Sequence, residues 1–437
     1  MNTIEKTIEL LNTSYSPFHV VKNIEEELKA KGFMQLCENR NYNLELGKSY
    51  FVKRNDSSII AFRLPQKITT DFHFQITASH TDSPTFKIKP NPIIRKENVI
   101  LLNTEPYGGL IYNTWLDKPL SFAGRVMVRQ KDRIETRLLS IDEDILIIPN
   151  LAIHMNRTIN SGYIYNPSKD LLPMFALDID DSFDFKEYLK NKLELNGEEE
   201  VLAFDLFLYN RQKATLIGMN REFLASGRED DLTSCYSSLL GFVESENPVT
   251  ACNVFVAFDN EEVGSLTKQG ANSTFLKETL KRISDIFEIN ADDYETRIAA
   301  STLISIDNAH ADHPNHLEIH DQTSPVLMNK GIVIKYNANQ SYTSDSLSSS
   351  IVKTLCHQKG IAFQEYTNRS DMRGGSTLGN ISNSMVSLTS VDIGIPQLSM
   401  HSSYEVLAKN DITSMADFVK EYYSHDIYMD GSSVRIK

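Results

Sequence analysis

The stretch Val254-Phe255-Val256-Ala257-Phe258, followed by Asp259-Asn260-Glu261-Glu262-Val263-Gly264, constrains this chain most. An uninterrupted apolar run rich in β-branched and aromatic residues makes a strand buried on both faces, the kind found inside α/β sheets. Acids at its carboxyl end stand where open α/β sheets place their ligand sites. Neighbouring carboxylates there carry a heavy desolvation cost unless a cation shares the site. A metal together with a proton divides them into one ligand and one general base. Taken alone, a Glu-Glu pair is more commonly a solvated loop feature, so the remaining sequence has to support the reading.

The chain has 437 residues, enough for two or three domains' worth of sequence, and its 41% hydrophobic and 23% charged composition is that of an ordinary globular protein. A formal charge of -14 argues against nucleic acid or an anionic membrane as partner. No stretch approaches the roughly 20 apolar residues of a membrane span, and Met1-Asn2-Thr3-Ile4-Glu5-Lys6 lacks a basic region followed by an apolar core. A cytoplasmic protein is expected. Cys37, Cys235, Cys252 and Cys356 show no CxxC spacing, so neither a disulfide framework nor a thiolate zinc site is indicated. Any metal falls to His, Asp and Glu.

Ile4, Ile8 and Leu11 predict a first helix, and Ser16-Pro17 opens a second with Val20, Val21, Ile24 and Leu28 on its buried stripe, ended by Gly32. From Asp71 the pattern alternates and predicts a strand running into Ala78-Ser79-His80-Thr81-Asp82, with His80 and Asp82 on one side. Residues 86–228 read as an inserted, mainly β domain of short strands with one helix near Phe185, Tyr188 and Leu189. The α/β pattern resumes with a helix behind Arg228-Glu229-Asp230-Asp231, where Asp230 or Asp231 is placed to cap it. Asp307 then ends a strand at Thr302–Ile306, and His401 lies beyond the run Val391–Pro396. Ser341 to Ser350 reads as a Ser-rich loop.

His80, Asp230, Glu262, Asp307 and His401 lie far apart in sequence, yet each sits at a strand end or helix start that one sheet can gather. Such donors suit Zn²⁺, Mn²⁺ or Co²⁺. Five are too many for one open catalytic zinc; they suit two metals about 3.5–4 Å apart sharing a carboxylate. Glu261 is then left to take a proton from the bridging water.

The ordered segments Ser16-Pro17-Phe18-His19, Ser79-His80-Thr81-Asp82-Ser83-Pro84, Tyr107-Gly108-Gly109, Ile148-Pro149-Asn150-Leu151-Ala152-Ile153-His154, Phe258–Ser265, Asp307-Asn308-Ala309-His310, Gly374-Gly375-Ser376-Thr377 and Met400-His401-Ser402 span nearly the whole chain. With them the chain resembles the M18 metallo-aminopeptidases, the aspartyl aminopeptidases and their bacterial relatives. The resemblance implies an α/β fold: a mixed sheet flanked by helices in a discontinuous catalytic domain (1–85 and 229–437), with residues 86–228 as an inserted β-rich dimerisation domain.

It also implies two zinc ions, Asp230 bridging them, with His80 and Asp307 on one and Glu262 and His401 on the other. Glu261 would be the general base and Asp82 would orient His80. Lys335 would pair with an Asp or Glu side chain of the substrate beside Tyr342. Independently of the resemblance, His313 is placed to hydrogen-bond a carbonyl or the tetrahedral oxyanion, or to cap the loop before Pro314. His154 would reach a neighbouring subunit's site in a tetrahedral dodecamer. Relatives commonly carry an arginine within the segment that here reads Asn339-Gln340-Ser341-Tyr342, and their bridging segment reads Arg-Leu-Asp-Asn-Leu where this chain has Arg228-Glu229-Asp230-Asp231-Leu232. The expected activity is removal of N-terminal residues, preferably Asp or Glu, from peptides. The rival readings are a same-fold aminopeptidase preferring neutral residues, a related deacylase or carboxypeptidase, and an inactive scaffold.

Overall fold

The computed structural model describes residues 2–177, 182–246, 248–372 and 374–437. The apolar run lies in the strand Ala251–Phe258, every residue of which is buried. It sits inside a nine-stranded mixed sheet, in the order Met34–Leu36, Ser49–Arg54, Ser58–Arg63, Ala251–Phe258, His73–His80, Thr302–Ile306, Thr389–Gly394, Ile332–Tyr336, Phe363–Thr367. Four consecutive strands, from Ala251–Phe258 to Thr389–Gly394, run parallel, so their carboxyl ends open on one edge. Helices cover both faces. Helices Thr3–Thr13, Pro17–Ala30, Glu229–Glu244, Ser346–Lys359 and Lys409–Ser424 supply the core on one side, and Phe275–Ile286, Ala291–Ala299 and Leu378–Met385 the other.

The alternation in His73–His80 does not leave a wet face, because all eight residues are buried. Its polar side chains are paired instead: Gln75 donates to Tyr422 O at 2.8 Å and accepts from Ile427 N, and Thr77 Oγ1 meets Tyr423 Oη at 2.7 Å. Burying a polar face is tolerable when each group is matched in this way.

Strands between Thr85 and Asn210, with Met174–Leu177 at one edge, form a separate six-stranded antiparallel sheet, packed by Phe122, Leu206 and the helix residues Phe185 and Leu189. Residues 211–228, which the sequence groups with these strands, behave differently. Strand Phe223–Ser226 pairs with Glu405–Ala408, in a five-stranded sheet that also contains Thr215–Ile217, Pro396–Leu398 and Ala309–His310.

Two local expectations are corrected. Half of the Ser341–Ser350 stretch is helix: Ser346 opens Ser346–Lys359 behind a reciprocal cap between Asp345 and Ser348, which satisfies the first amide donors that a serine run would otherwise leave bare. Neither Asp230 nor Asp231 caps Glu229–Glu244 through its side chain; both are non-helical, and Asp231 Oδ2 accepts the His80 N–H at 3.2 Å.

Candidate metal centre

His80 ends its strand beside Phe258, its register partner, and Glu261 and Glu262 follow in the next turn. That turn is tight, with Asn260 at φ 65° and Gly264 at φ 95°; Asn260 Oδ1 accepts from Thr267 and Gln269 and holds it shut. Asp307 follows the neighbouring parallel strand. The five-stranded sheet delivers the rest: Asp230 lies beyond Phe223–Ser226, and His401 lies in the turn between Pro396–Leu398 and Glu405–Ala408. Gly394 lets its strand lie close against the segment Asp307-Asn308-Ala309 that leaves the neighbouring strand, since a Cβ there would stand 2.0 Å from Asp307 O.

The five expected ligands converge. His80 Nε2 lies 3.6 Å from Asp230 Oδ1 and 4.0 Å from Asp307 Oδ1. His401 Nε2 lies 3.2 Å from Asp230 Oδ2 and 3.5 Å from Glu262 Oε2. The two oxygens of Asp230 therefore face different imidazoles. Each imidazole has its tautomer fixed, because Nδ1 of His80 donates to Asp82 O at 3.0 Å and Nδ1 of His401 to Gly109 O at 2.8 Å. A carbonyl only accepts, so Nδ1 keeps its proton and Nε2 is the nitrogen that faces the carboxylates, protonated beside them and ready to give up that proton where an ion takes its place. Asp82 orients His80 chiefly through its backbone; its carboxylate, 3.4 Å from His80 Nδ1, also accepts from Tyr107 Oη, Glu261 N and Glu262 N.

The electrostatics call for cations. Burial pushes Glu261 up to about 8, with Asp307, Asp82 and Asp230 adding to the effect and His80 opposing it. Burial also pushes Asp307 up to about 6, against Lys335, and raises Glu262 well above the usual carboxylate range. For Asp230 burial is outweighed by the His401 and His80 imidazoles beside its two oxygens, which hold it below that range. Burial alone would lower His401, yet Asp230 and Glu262 push it up to about 10.

Divalent ions fit these residues. Asp230 Oδ1 and Glu262 Oε1 are buried without a hydrogen-bond partner. Two donors each about 2.1 Å from a tetrahedral ion stand about 3.4 Å apart, within the 3.2–4.0 Å separations found here. Ligand atoms of His80, Asp230 and Glu262, and of Asp230, Asp231 and Asp307, each fall within 4.8 Å of one another.

The Aminopeptidase I zinc metalloprotease (M18) family model matches residues 10–423. The chain belongs to the M18 family of zinc aminopeptidases. A probable M18 family aminopeptidase 2 of Clostridium novyi (strain NT) is 46% identical over 434 residues, covering 97% of this chain and 99% of that protein. An Ape4 structure solved in complex with Nbr1 superimposes with a TM-score of 0.92 at 33% identity, over 97% of this chain and 85% of that one. The mApe1 dodecamer of S. cerevisiae gives 0.85 at 24% identity, over 97% and 96%, a likeness of fold. This M18 chain is thus a metallo-hydrolase with the α/β fold expected from its sequence.

In this M18 aminopeptidase Lys335 and Tyr342 line the same cleft of about 200 Å³ as His80, Glu261 and His401. Lys335 Nζ donates to Asn308 O at 2.9 Å and stands 5.4 Å from the Tyr342 ring centre. His313 is not in that cleft; it lines an adjoining chamber of about 310 Å³, and its Nδ1 accepts from Asn315 N at 3.2 Å, the loop-capping role. His154 is exposed and lines neither space. His310 lines both.

Two further acids support the cluster: Glu405, which the sequence did not mark, and Asp231, which it offered only as a helix cap and as a departure from the relatives' segment. Glu405 is buried and spans the cluster's backbone, accepting from His401 N at 2.7 Å and Asp230 N at 3.2 Å. Asp231 is buried beneath His80. Glu405, four residues after His401, offered a faint signal, but only the folded hairpin reveals its partners.

Proposed function

We propose that the chain is a two-zinc aminopeptidase that removes N-terminal residues, preferably Asp or Glu, from peptides. The observation that carries the reading is Asp230, whose two oxygens face two imidazoles already turned Nε2-inward. His80 and Asp307 would hold one ion, Glu262 and His401 the other, with Asp230 shared. Bound there, the ions supply Lewis-acid polarisation of the scissile carbonyl and acidify the attacking water.

The rest is work for the chain's own groups. Glu261 lines the cleft, and its carboxylate receives no hydrogen bond among the described residues, so it is free to accept a water proton and deliver it to the leaving amine. Its elevated pKa falls toward neutrality when positive charge occupies the cluster. Asp82 and Gly109 O keep His80 and His401 in the binding tautomer. Lys335 meets the acidic side chain of the substrate, with Tyr342 as the adjoining wall.

The inserted six-stranded sheet domain, which ends at Asn210, serves subunit association. His154, ringed in sequence by the exposed apolar Leu151, Ile153 and Met155, reaches a neighbouring subunit's cleft in an assembly like the S. cerevisiae mApe1 dodecamer. A cytoplasmic setting agrees with the lack of any helix, among the described residues, long and apolar enough to cross a membrane. The test is hydrolysis of Asp-, Glu- and Leu-peptides by zinc-loaded protein with and without a chelator. Chelator-sensitive cleavage confined to acidic N-termini supports the reading. Preference for Leu replaces the acidic pocket with a neutral one, and no cleavage at all brings the scaffold reading forward.

A further inference from the structure

Asp392 is an acid in the otherwise apolar run Val391-Asp392-Ile393, in the strand Thr389–Gly394, and it is fully buried. A carboxylate in an inner strand needs a reason, since burying it costs several kcal/mol unless strong donors surround it (about 1.5–3 kcal/mol for each hydrogen bond to a charged group). Its partners come from two loops. Oδ2 accepts from Thr343 N at 2.6 Å and Thr343 Oγ1 at 2.8 Å, and Oδ1 accepts from Thr377 Oγ1 at 2.5 Å. Its own N–H donates to Ser344 Oγ at 2.9 Å. Among the described residues no lysine or arginine pairs with it.

The approach on the Thr377 side depends on Gly379. A Cβ there would come within 2.5 Å of Asp392 Oδ1 and 2.9 Å of Ser305 Oγ, so only glycine lets the start of helix Leu378–Met385 close on the carboxylate. The negative charge consequently sits beside a helix amino end, which favours it.

Both loops wall the metal cleft. Tyr342 precedes Thr343, and Gly375, Ser376 and Thr377 line the cleft with Lys335. One buried carboxylate thus ties the Tyr342 loop to the Thr377 loop without touching any of the five metal-binding candidates. We propose that Asp392 is a positioning residue that sets the shape of the pocket for the substrate's N-terminal side chain. The proposal rests on the reading of Lys335 and Tyr342 as walls of that pocket.

Asp392→Asn turns its oxygen to Thr343 and its NH₂ to the Thr377 hydroxyl, which accepts as well as donates, so both latches lose the carboxylate's charge and are weakened. With zinc-loaded protein, KM for the preferred peptide should rise about tenfold while kcat stays within about threefold and metal content matches wild type. Thr377→Val should reproduce part of the KM effect and Thr377→Ser should restore it, a series that remains informative if the Asp392 variant folds poorly. Hydrogen exchange supplies a readout independent of catalysis: in Asp392→Asn the Thr343 amide and residues 375–378 should lose protection while Ala251–Phe258 keeps its own. An unchanged KM, an unchanged Thr343 amide, or a fall in kcat accompanied by metal loss overturns the proposal. If wild type cleaves no peptide, the peptidase reading fails by itself, and the exchange measurement still decides whether Asp392 latches the loops.

Discussion

Replacing Lys335 by Met tests how the cleft chooses its substrate. Lys335 is buried, and one of its three N–H groups is spent on Asn308 O, leaving two for a substrate carboxylate. A pair of unit charges about 4 Å apart at an effective dielectric near 20 attracts by about 4 kcal/mol, and desolvation takes back part of that, leaving about 2–4 kcal/mol. Lys335→Met should therefore lower kcat/KM on Asp- and Glu-peptides by roughly 30- to 1000-fold and leave Leu-peptides within a few-fold. The assay is steady-state kinetics on the three peptides at equal zinc content. Zinc must be measured because Asn308 adjoins Asp307, and a variant that lost metal would lose all three activities. An equal fall on all three peptides at full zinc occupancy, or an undiminished acidic preference, refutes the reasoning.

Two further outcomes follow from the same geometry. Asp230→Asn offers one oxygen where two face separate imidazoles, so bound zinc should drop from about two equivalents to about one or fewer, with kcat down more than about 1000-fold; elemental analysis and kinetics check it. His19, bonded to Ser16 Oγ at 2.8 Å, is pushed down from 6.5 to about 4 by burial, with Lys22 and Arg228 contributing. A lowered histidine pKa means that the unfolded chain binds the proton more readily, so this stability is present above pH 6.5 and is lost as pH falls through 4. Denaturation at about pH 7.5 and pH 4.5 should show His19→Gln losing about 2–3 kcal/mol less than wild type; equal losses would exclude His19 as a source of acid sensitivity.

The convergence of the candidate residues was legible because they lie at strand ends: an apolar run announces the strand, and the acids or histidine at its carboxyl end mark the edge of the sheet where a site can form. His80, Glu262 and Asp307 each follow this rule in the parallel sheet. Asp230 and His401 were harder, since a second sheet of short strands carries them, among them the three-residue Pro396–Leu398. Strands Ser49–Arg54 and Ser58–Arg63 escaped notice because short runs mixing charged and apolar residues carry little periodicity. The polar face of His73–His80 could not be read as buried, because its partners Tyr422 and Tyr423 lie some 350 residues on. Glu405 and Asp392 were illegible for a related reason: their roles consist of backbone amides and hydroxyls on other loops, which leave no pattern in their own neighbourhood.

Glu261, on the proposed function, moves the proton at a metal cluster held by its neighbours. The most direct measurement is zinc stoichiometry and turnover of Glu261→Gln on the same preparation. A general base contributes about 10²–10⁴ in rate, so the account predicts wild-type zinc content, near-normal KM and a loss of kcat in that range. Turnover within about tenfold of wild type at full zinc occupancy would remove Glu261 from the proton transfer, and loss of zinc would make it a ligand instead.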